Sequence, residues 1–196
     1  MNKDKIMKRY IAALTTLILV SLPDRAKAQG NLLFNGGFDT NAAGWTLSDG
    51  SFFISTFGKP SGCVRLDNAR PSPSLTPSAS QTVGGLVPGA IYTVSGDYLV
   101  QGKNYSSAYS FGVTVDGVFL FHTEAPTDYN WYRFNSLYTA TSSSAVLGLS
   151  SRLNGTGIPY IIDNIAMQVV PEPSSLWLAL AGGLVCVLVY RGRRNC

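Results

Sequence analysis

Apolar and polar residues alternate with a period of two through the middle of the chain. Between Tyr92 and Val100 every second residue is apolar or glycine, whereas residues between them, such as Ser95 and Asp97, are polar. Side chains of a β-strand point alternately to two faces, so this pattern predicts a strand. No stretch between 29 and 170 has the period of an amphipathic helix. Further alternating or apolar runs occupy 109–115, 118–121, 131–138, 145–150 and 160–170.

Turn-forming residues separate these runs. Asp116-Gly117 lies between two apolar runs, an arrangement typical of a type I′ hairpin. Asn35-Gly36-Gly37, Pro88-Gly89 and Asn154-Gly155 predict further turns. The Pro- and Ser-rich segment 69–78 predicts a long loop that joins two sheets, with internal disorder as the alternative. Many short strands with such turns predict one all-β domain, an antiparallel β-sandwich.

The first 28 residues have the organisation of a secretory signal. A basic stretch precedes the apolar run 11–22, and Ala26 and Ala28 form an Ala-x-Ala cleavage site. The run is short for a helix that spans a bilayer, which needs about 20 residues. We therefore expect the secretion machinery to recognise residues 1–28 as a signal peptide that is cut after Ala28. An uncleaved anchor is the alternative.

The segment 170–196 has three successive parts. Pro171, Glu172 and Pro173 precede the apolar run 176–190, and an arginine cluster follows. The run is just long enough to predict a transmembrane helix, and a buried core helix is the alternative. Positive charge beside a span stays cytoplasmic, so the domain before it is predicted to lie outside. The arginines of the cluster are Arg191, Arg193 and Arg194.

The motif, spacing and terminal position of 170–196 closely resemble the PEP-CTERM protein-sorting signal. The resemblance implies export in a Gram-negative bacterium that makes extracellular polysaccharide. It also implies an inner-membrane precursor, which an exosortase, a membrane cysteine transpeptidase, processes near Pro171 to Pro173. Two prolines keep this segment extended, in a form that a peptidase can grip. The final location implied is the cell surface or the extracellular matrix.

The basic character of the chain belongs to its two ends. The whole chain has a formal net charge of +4, but residues 29–170 contain six basic and eight acidic residues. This middle part therefore has no field that would favour nucleic acid. Cys63 is the only cysteine there, and it predicts a small buried residue rather than a disulfide.

Three short motifs resemble the galactose-binding-like jelly roll of carbohydrate-binding modules of families four and nine. They are NLLFNGGFDTNAAGWT at 31–46, GGLVPGAIYTVSGDYLV at 84–100 and YIIDNIAM at 160–167. The resemblance implies a jelly-roll, carbohydrate-binding-like domain over 29–169. One departure is Asp39, which stands where the family usually has Glu, and its shorter side chain weakens an inherited ligand role.

Asp163 is a candidate metal ligand. It is in phase with Ile161, Ile165 and Met167, on the face predicted to be buried. A buried carboxylate needs hydrogen bonds, a cation or a proton. The family resemblance implies a structural Ca²⁺ that Asp163 shares with Asp39, and Ca²⁺ prefers oxygen ligands. The alternative is that Asp163 accepts backbone N–H bonds at a strand edge.

A polar loop is the candidate glycan-binding site. Sugar C–H faces stack on aromatic rings, and side-chain amides bond sugar hydroxyls. Tyr105 lies in a Gly- and Ser-rich segment, and Gln101, Asn104 and Tyr109 would complete a shallow site. Tyr109 also fits the inward phase of its own strand, which argues against its part in the site.

No catalytic constellation is evident. His122 is the only histidine and predicts a surface or turn residue, so a zinc site is not expected. Glu124 and Asp128 lie in a predicted solvated turn rather than a cleft. Trp45 and Trp131, each next to a strand start, are expected in the core. The sequence also lacks a nucleophile elbow, a Walker loop and a dinucleotide fingerprint.

These observations favour a non-enzymatic exported protein that binds or scaffolds extracellular polysaccharide. A structural or adhesive matrix protein without a defined sugar site is the alternative. A small extracellular glycan hydrolase is the least favoured interpretation.

Overall fold

A computed structural model describes residues 30–67, 76–101, 110–124, 128–152 and 159–171, and these residues form ten β-strands and their connections. No helix occurs in these ranges. The strands are β1 (Thr46–Leu47), β2 (Ser51–Ile54), β3 (Cys63–Leu66), β4 (Ser78–Gly84), β5 (Ile91–Val100), β6 (Ser110–Val115), β7 (Val118–Glu124), β8 (Trp131–Thr139), β9 (Ser144–Arg152) and β10 (Tyr160–Val169).

The strands form two antiparallel sheets. Sheet A has the order β1-β4-β9-β6-β7, and sheet B has the order β2-β3-β10-β5-β8. The all-β antiparallel sandwich predicted from the sequence is therefore confirmed. The connection between β3 and β4 runs from sheet B to sheet A, as the Pro- and Ser-rich segment predicts. Residues 68–75 of that connection lie outside the described residues.

The inner faces of both sheets carry the main hydrophobic core. Aromatic rings dominate one part of it: Phe111 packs on Tyr160 with ring centroids 5.6 Å apart, and Phe121 packs on Phe134 at 5.4 Å. Burial of one large side chain of this kind contributes about 1.5–3 kcal/mol. Trp45 is buried in this core, as predicted.

A second, smaller cluster lies on the outer face of sheet B. Cys63, Leu99 and Ile161 are fully or almost fully buried there, and Phe57 and Trp131 pack against them. The Phe57 and Trp131 rings stack with centroids 6.2 Å apart. Burial, followed by the nearby Asp163, raises the pKa of the Cys63 thiol to about 12, so this thiol stays protonated and unreactive. Cys63 is free, as predicted.

The predicted turns that fall on described residues are present. Asp116 and Gly117 have φ of 50° and 79°, the positive values that a type I′ hairpin requires. Turns also occur at 35–37 and 88–89. The Asn154-Gly155 turn lies outside the described residues.

Both terminal signals lie outside the described residues, apart from Val170 and Pro171. They include the signal peptide with Ala26 and Ala28, and most of the tail. Within the described ranges, no helix has the length and apolar character that a bilayer crossing requires. The predicted transmembrane helix 176–190 and the arginine cluster are not in those ranges.

Candidate functional sites

A β-bulge in β10 determines where Asp163 lies. Ile161 belongs to the outer cluster of sheet B, whereas Ile165 and Met167 belong to the main core. The pairing of β10 with β5 shifts between Asp163 and Ala166. The prediction that Asp163 shares one face with Ile165 and Met167 is therefore wrong, because the bulge reverses the alternation. Asp163 is nevertheless completely buried.

Backbone N–H groups hold the Asp163 carboxylate. The Lys59 N–H donates to Oδ2 at 2.5 Å, and the Asn164 N–H donates to Oδ1 at 2.7 Å. The Asn164 side chain then donates to the Lys59 carbonyl at 2.9 Å and to Asp97 Oδ2 at 3.0 Å. The segment 55–62, which joins β2 to β3, is thereby fixed over the outer face of sheet B. These bonds match the alternative in which Asp163 accepts backbone N–H groups.

The surroundings of Asp163 hold more negative than positive charge. Asp97, also buried, lies directly opposite Asp163 in the strand pairing, and its Oδ2 is 3.8 Å from Lys59 Nζ. Burial raises the pKa of Asp163, the N–H bonds from Lys59 and Asn164 lower it, and the charges of Asp39 and Asp97 raise it, so that the pKa lies at about 6. Lys59 supplies a positive charge beside one of these three carboxylates, Asp97.

The N-terminal turn brings Asp39 to this region. The Ile165 N–H donates to the Gly36 carbonyl at 2.8 Å, which ties the turn to β10. A Cβ on Gly62 would lie 2.1 Å from the Phe38 carbonyl oxygen, so only glycine permits this approach. The structure thus places the two predicted ligands, Asp39 and Asp163, in one neighbourhood. Within the described residues, no three His, Cys, Asp or Glu side chains are grouped to hold a metal.

The predicted glycan loop is described only at its first residue. Gln101 is half-buried, and its N–H donates to the Pro159 carbonyl at 3.0 Å. Asn104, Tyr105 and Tyr109 lie outside the described residues. The loop connects the end of β5 in sheet B with the start of β6 in sheet A.

The outer face of sheet A offers a different candidate site, the sheet A trough. It consists of two rows of small residues that run across the strands. One row passes from Ser80 through Gly148 and Thr114 to Phe119, and the other from Ser78 through Ser150 and Gly112 to His122. Hydroxyl groups and glycines therefore occupy its middle, and the two rings of β7 form one rim.

Gly112 determines the position of the Phe119 ring at the rim of the sheet A trough. A Cβ on Gly112 would be 2.6 Å from Cε1 of Phe119, so the Phe119 ring lies over a residue without a side chain. The ring is 63% exposed, which leaves most of its surface free. It meets the His122 ring edge-on with centroids 6.0 Å apart. His122 is exposed, as predicted, but it lies on a strand rather than in a turn.

The C-terminal segment matches a known family. Residues 169–194 match the family described as the PEP-CTERM protein-sorting motif. The predicted sorting signal is thus confirmed. It indicates an exported protein that is anchored in a membrane before an exosortase processes it. No curated protein sequence matches the chain.

Solved structures share the sandwich. The chain is similar to the CBM22-1 xylan-binding domain of Xyn10C from Paenibacillus barcinonensis, with a TM-score of 0.56, 19% identity, and coverage of 75% of this chain and 99% of that one. It is also similar to the Stig cyclase Fisc from Fischerella sp. TAU, with a TM-score of 0.54, 14% identity, and coverage of 74% and 99%. At such identities the likeness shows the fold alone.

A third similarity is to a larger protein. The enzymatically active domain of tailspike protein 4 from bacteriophage CBA120 has 17% identity, with coverage of 71% of this chain and 21% of that one. The chain therefore spans about a fifth of that relative, and the TM-score of 0.49 supports no argument about function. The other two structures confirm the jelly-roll β-sandwich fold.

Proposed function

We propose that the chain is an exported, non-catalytic domain that binds glycan on the sheet A trough and so attaches to or scaffolds extracellular polysaccharide. The observation that carries this proposal is the exposed Phe119 ring beside rows of hydroxyl groups. An apolar ring accepts the C–H face of a sugar, and the hydroxyls of Ser80 and Thr114 bond its hydroxyl groups. The small residues in the middle leave room for a chain of sugars to lie across the strands.

The trough fits an uncharged glycan. Across the five strands of sheet A, the charged residues are Glu124 and Arg152, and each ends its strand. A polyanionic glycan would require a basic surface, which these strands lack. The glycan class we propose is therefore a neutral polysaccharide.

The proposed absence of catalysis follows from the same face. Glycoside hydrolysis commonly uses two carboxyl groups on either side of the scissile bond. Glu124 is the only acidic residue on the strands of sheet A. Asp128 is exposed and accepts hydrogen bonds from Tyr132 and Asn130, and the Tyr132 bond keeps its pKa below the ordinary value. Asp128 thus occupies a solvated position, as predicted, rather than a cleft.

Affinity electrophoresis in gels that contain neutral or acidic polysaccharides tests the proposal. The double variant Phe119→Ala/His122→Ala should bind about tenfold more weakly than the native chain, because the stacking surface is lost. Leu137→Ala is the matched control, since Leu137 is equally exposed but lies on sheet B. Retained binding by the double variant together with loss in Tyr105→Ala would place the site in the 101–109 loop instead.

Two other outcomes would replace the proposal. If no polysaccharide retards the native chain and it self-associates, the structural or adhesive interpretation is correct. If any polysaccharide is depolymerised, the chain is an enzyme and the non-catalytic proposal is wrong.

We also propose that Asp39 and Asp163 hold a structural Ca²⁺. The donors fit such an ion, because they are carboxylate oxygens, and each Asp163 oxygen has bonded only one N–H and keeps further acceptor capacity. When bound, the ion would neutralise surplus carboxylate charge and link the N-terminal turn to the last strand. The melting temperature in Ca²⁺ should exceed that in chelator, and Asp163→Asn should remove the difference. An unchanged melting temperature in chelator would contradict the proposal.

The destination that we propose is the cell surface or extracellular matrix of a Gram-negative bacterium. The supporting observation is the sorting motif at 169–194. Fractionation of cells should find the processed chain with the extracellular polysaccharide. Substitution of Glu172 by Ala should retain the chain in the inner membrane, and equal release of the variant would contradict exosortase processing at this motif.

A further inference from the structure

One end of the sandwich, the tail-proximal end, consists of the 85–90 turn, the β6–β7 hairpin, the 140–143 loop and the end of β10. Hydrogen bonds join these parts: the Leu86 N–H donates to the Ser143 carbonyl at 3.0 Å, and the Gly89 N–H donates to the Ala140 carbonyl at 2.8 Å. The Val170 N–H donates to the Ile91 carbonyl at 2.8 Å. The chain therefore leaves the sandwich beside the start of β5.

Apolar side chains are exposed at this end. Val87, Val118 and Leu137 are 61%, 65% and 65% exposed, and Ile91 is 44% exposed. Ile91 and Leu137 are diagonal neighbours on the outer face of sheet B, because Thr139 is opposite Ile91 and Thr93 is opposite Leu137. Large aliphatic side chains exposed together on a protein surface commonly mark a contact with a partner or a membrane.

This end is also nearly free of charge. The segments 84–96, 134–151 and 164–171 contain no Asp, Glu, Lys, Arg or His. The exception is Asp116 in the hairpin, and its Oδ1 accepts the Val146 N–H at 2.8 Å. No charged group of these segments would have to be desolvated if this end met an apolar phase.

The sequence places a membrane anchor close to this end. The apolar run begins at Leu176, five residues after Pro171. A fully extended chain advances by at most about 3.3–3.6 Å per residue, so these residues reach less than about 18 Å. While the anchor is in the bilayer, the tail-proximal end cannot be farther from it than this length allows.

We propose that, in the membrane-anchored precursor, the tail-proximal end lies on the lipid surface, with Val87, Ile91 and Leu137 in contact with the interfacial region. The occupant of this apolar surface is lipid, because the attached anchor holds it next to a bilayer and no charge opposes the contact. The contact orients the sandwich so that its other end points away from the membrane. Exosortase processing releases the tether and leaves only the weak contact of a few aliphatic side chains. This proposal does not depend on glycan binding.

Quenching by spin-labelled lipid tests the contact in the full chain. Cys186 and Cys196 are replaced by Ser, the buried Cys63 is kept, and an environment-sensitive fluorophore is attached at Leu137→Cys. The matched label is at Tyr129→Cys, which is also exposed but lies before β8, at the opposite end of the sandwich. The protein is reconstituted in phosphatidylcholine vesicles with nitroxides at the headgroup. Quenching at 137 should be about threefold stronger than at 129.

A second variant separates contact from mere proximity. Val87→Asp/Ile91→Asp should reduce quenching at 137 to the level seen at 129, since two buried charges would oppose the contact. Phe52→Asp, an exposed apolar residue elsewhere on sheet B, should leave the quenching unchanged. Equal quenching at 137 and 129 in the native background, or no response to the two aspartates, would overturn the proposal. Because the vesicles contain no other protein, a signal cannot come from a protein partner.

Discussion

The outer faces of the two sheets have opposite character, although both come from alternating strands. On sheet B two polar residues are buried: Asp97 and Asp163 lie under the segment 55–62, next to Ile161. On sheet A the outward positions are small hydroxyl residues and glycines, and Phe119 is mostly exposed. The alternation assigns a residue to a face, but the connecting segments decide whether that face meets water. The covered part of sheet B's outer face is therefore a stability element, and we propose that sheet A's outer face is a surface for binding.

The largest predicted effect is the difference in unfolding free energy between substitutions on the outer faces of the two sheets. Ile161→Ala removes a fully buried side chain from the outer cluster of sheet B and should lower the free energy of unfolding by about 3 kcal/mol. Val146→Ala, at an exposed position on the outer face of sheet A, should change it by less than about 0.5 kcal/mol. Urea denaturation of both variants measures the difference. Similar losses would show that the two faces are equally covered.

A second substitution tests the hydrogen bonds that fix the covering segment. Asp163→Ala leaves the partly buried N–H groups of Lys59 and Asn164 without an acceptor and should cost about 2 kcal/mol in unfolding free energy. Asp163→Asn keeps one oxygen as acceptor and should cost less. Asp128→Ala is the exposed control, for which we expect almost no change. No loss in Asp163→Ala would mean that segment 55–62 is held by other contacts.

The sequence predicted the longer strands well because their alternation is regular. The strands β5 to β10 coincide closely with the alternating or apolar runs, and the Asp116-Gly117 hairpin has the predicted backbone. Of the first four strands, only a strand start at Trp45, next to β1, was predicted, because β1, β2 and β3 have two to four residues and β4, SASQTVG, is largely polar. Short or polar strands gain their structure from neighbours that are distant in sequence.

The sites were harder to predict because they depend on long-range register. The bulge after Asp163 breaks the period-two alternation of β10. The face predicted for the residues beyond Asp163 was therefore wrong. The alternation predicted only that Asp97 lies on the polar side of β5, and its position opposite Asp163 follows from the pairing of β5 with β10. The local sequence could not predict the contact of Lys59 with Asp97 or the position of the Phe119 ring over Gly112, because each contact joins separate segments of the chain.

A smaller effect concerns pH. Without a metal, the pKa of Asp163 is about 6 in the folded chain against 3.8 in the unfolded chain, so folding favours the protonated carboxyl. The stabilisation from this protonation is fully present below the pKa of the unfolded chain. It is lost as the pH rises through the pKa of the folded chain. In chelator, stability should thus rise by about 1 kcal/mol from pH 7 to pH 5.

Calcium should reverse that dependence, because protons compete with the metal for the same carboxylate. Thermal unfolding at several pH values, with Ca²⁺ and with chelator, measures both slopes. Asp163→Asn should flatten them while Asp128→Asn leaves them unchanged. Identical slopes in Ca²⁺ and in chelator would count against a metal at Asp163.

The variant with the smallest predicted effect on stability gives the sharpest test of glycan binding on the outer face of sheet A. Gly112→Ala places a Cβ 2.6 Å from Cε1 of Phe119, and the ring must tilt, because it is the movable end of a side chain. The strain of that tilt and the backbone entropy that alanine saves are each about 1 kcal/mol, so the free energy of unfolding should change little. The displaced ring, however, should lower polysaccharide affinity about fivefold, since stacking requires a set ring plane. Gly84→Ala is the control on the same sheet, because its Cβ would meet no atom within 4 Å. If Gly112→Ala binds as tightly as the native chain in affinity electrophoresis, the Phe119 ring is not the stacking surface, and the difference between the two faces is one of burial alone.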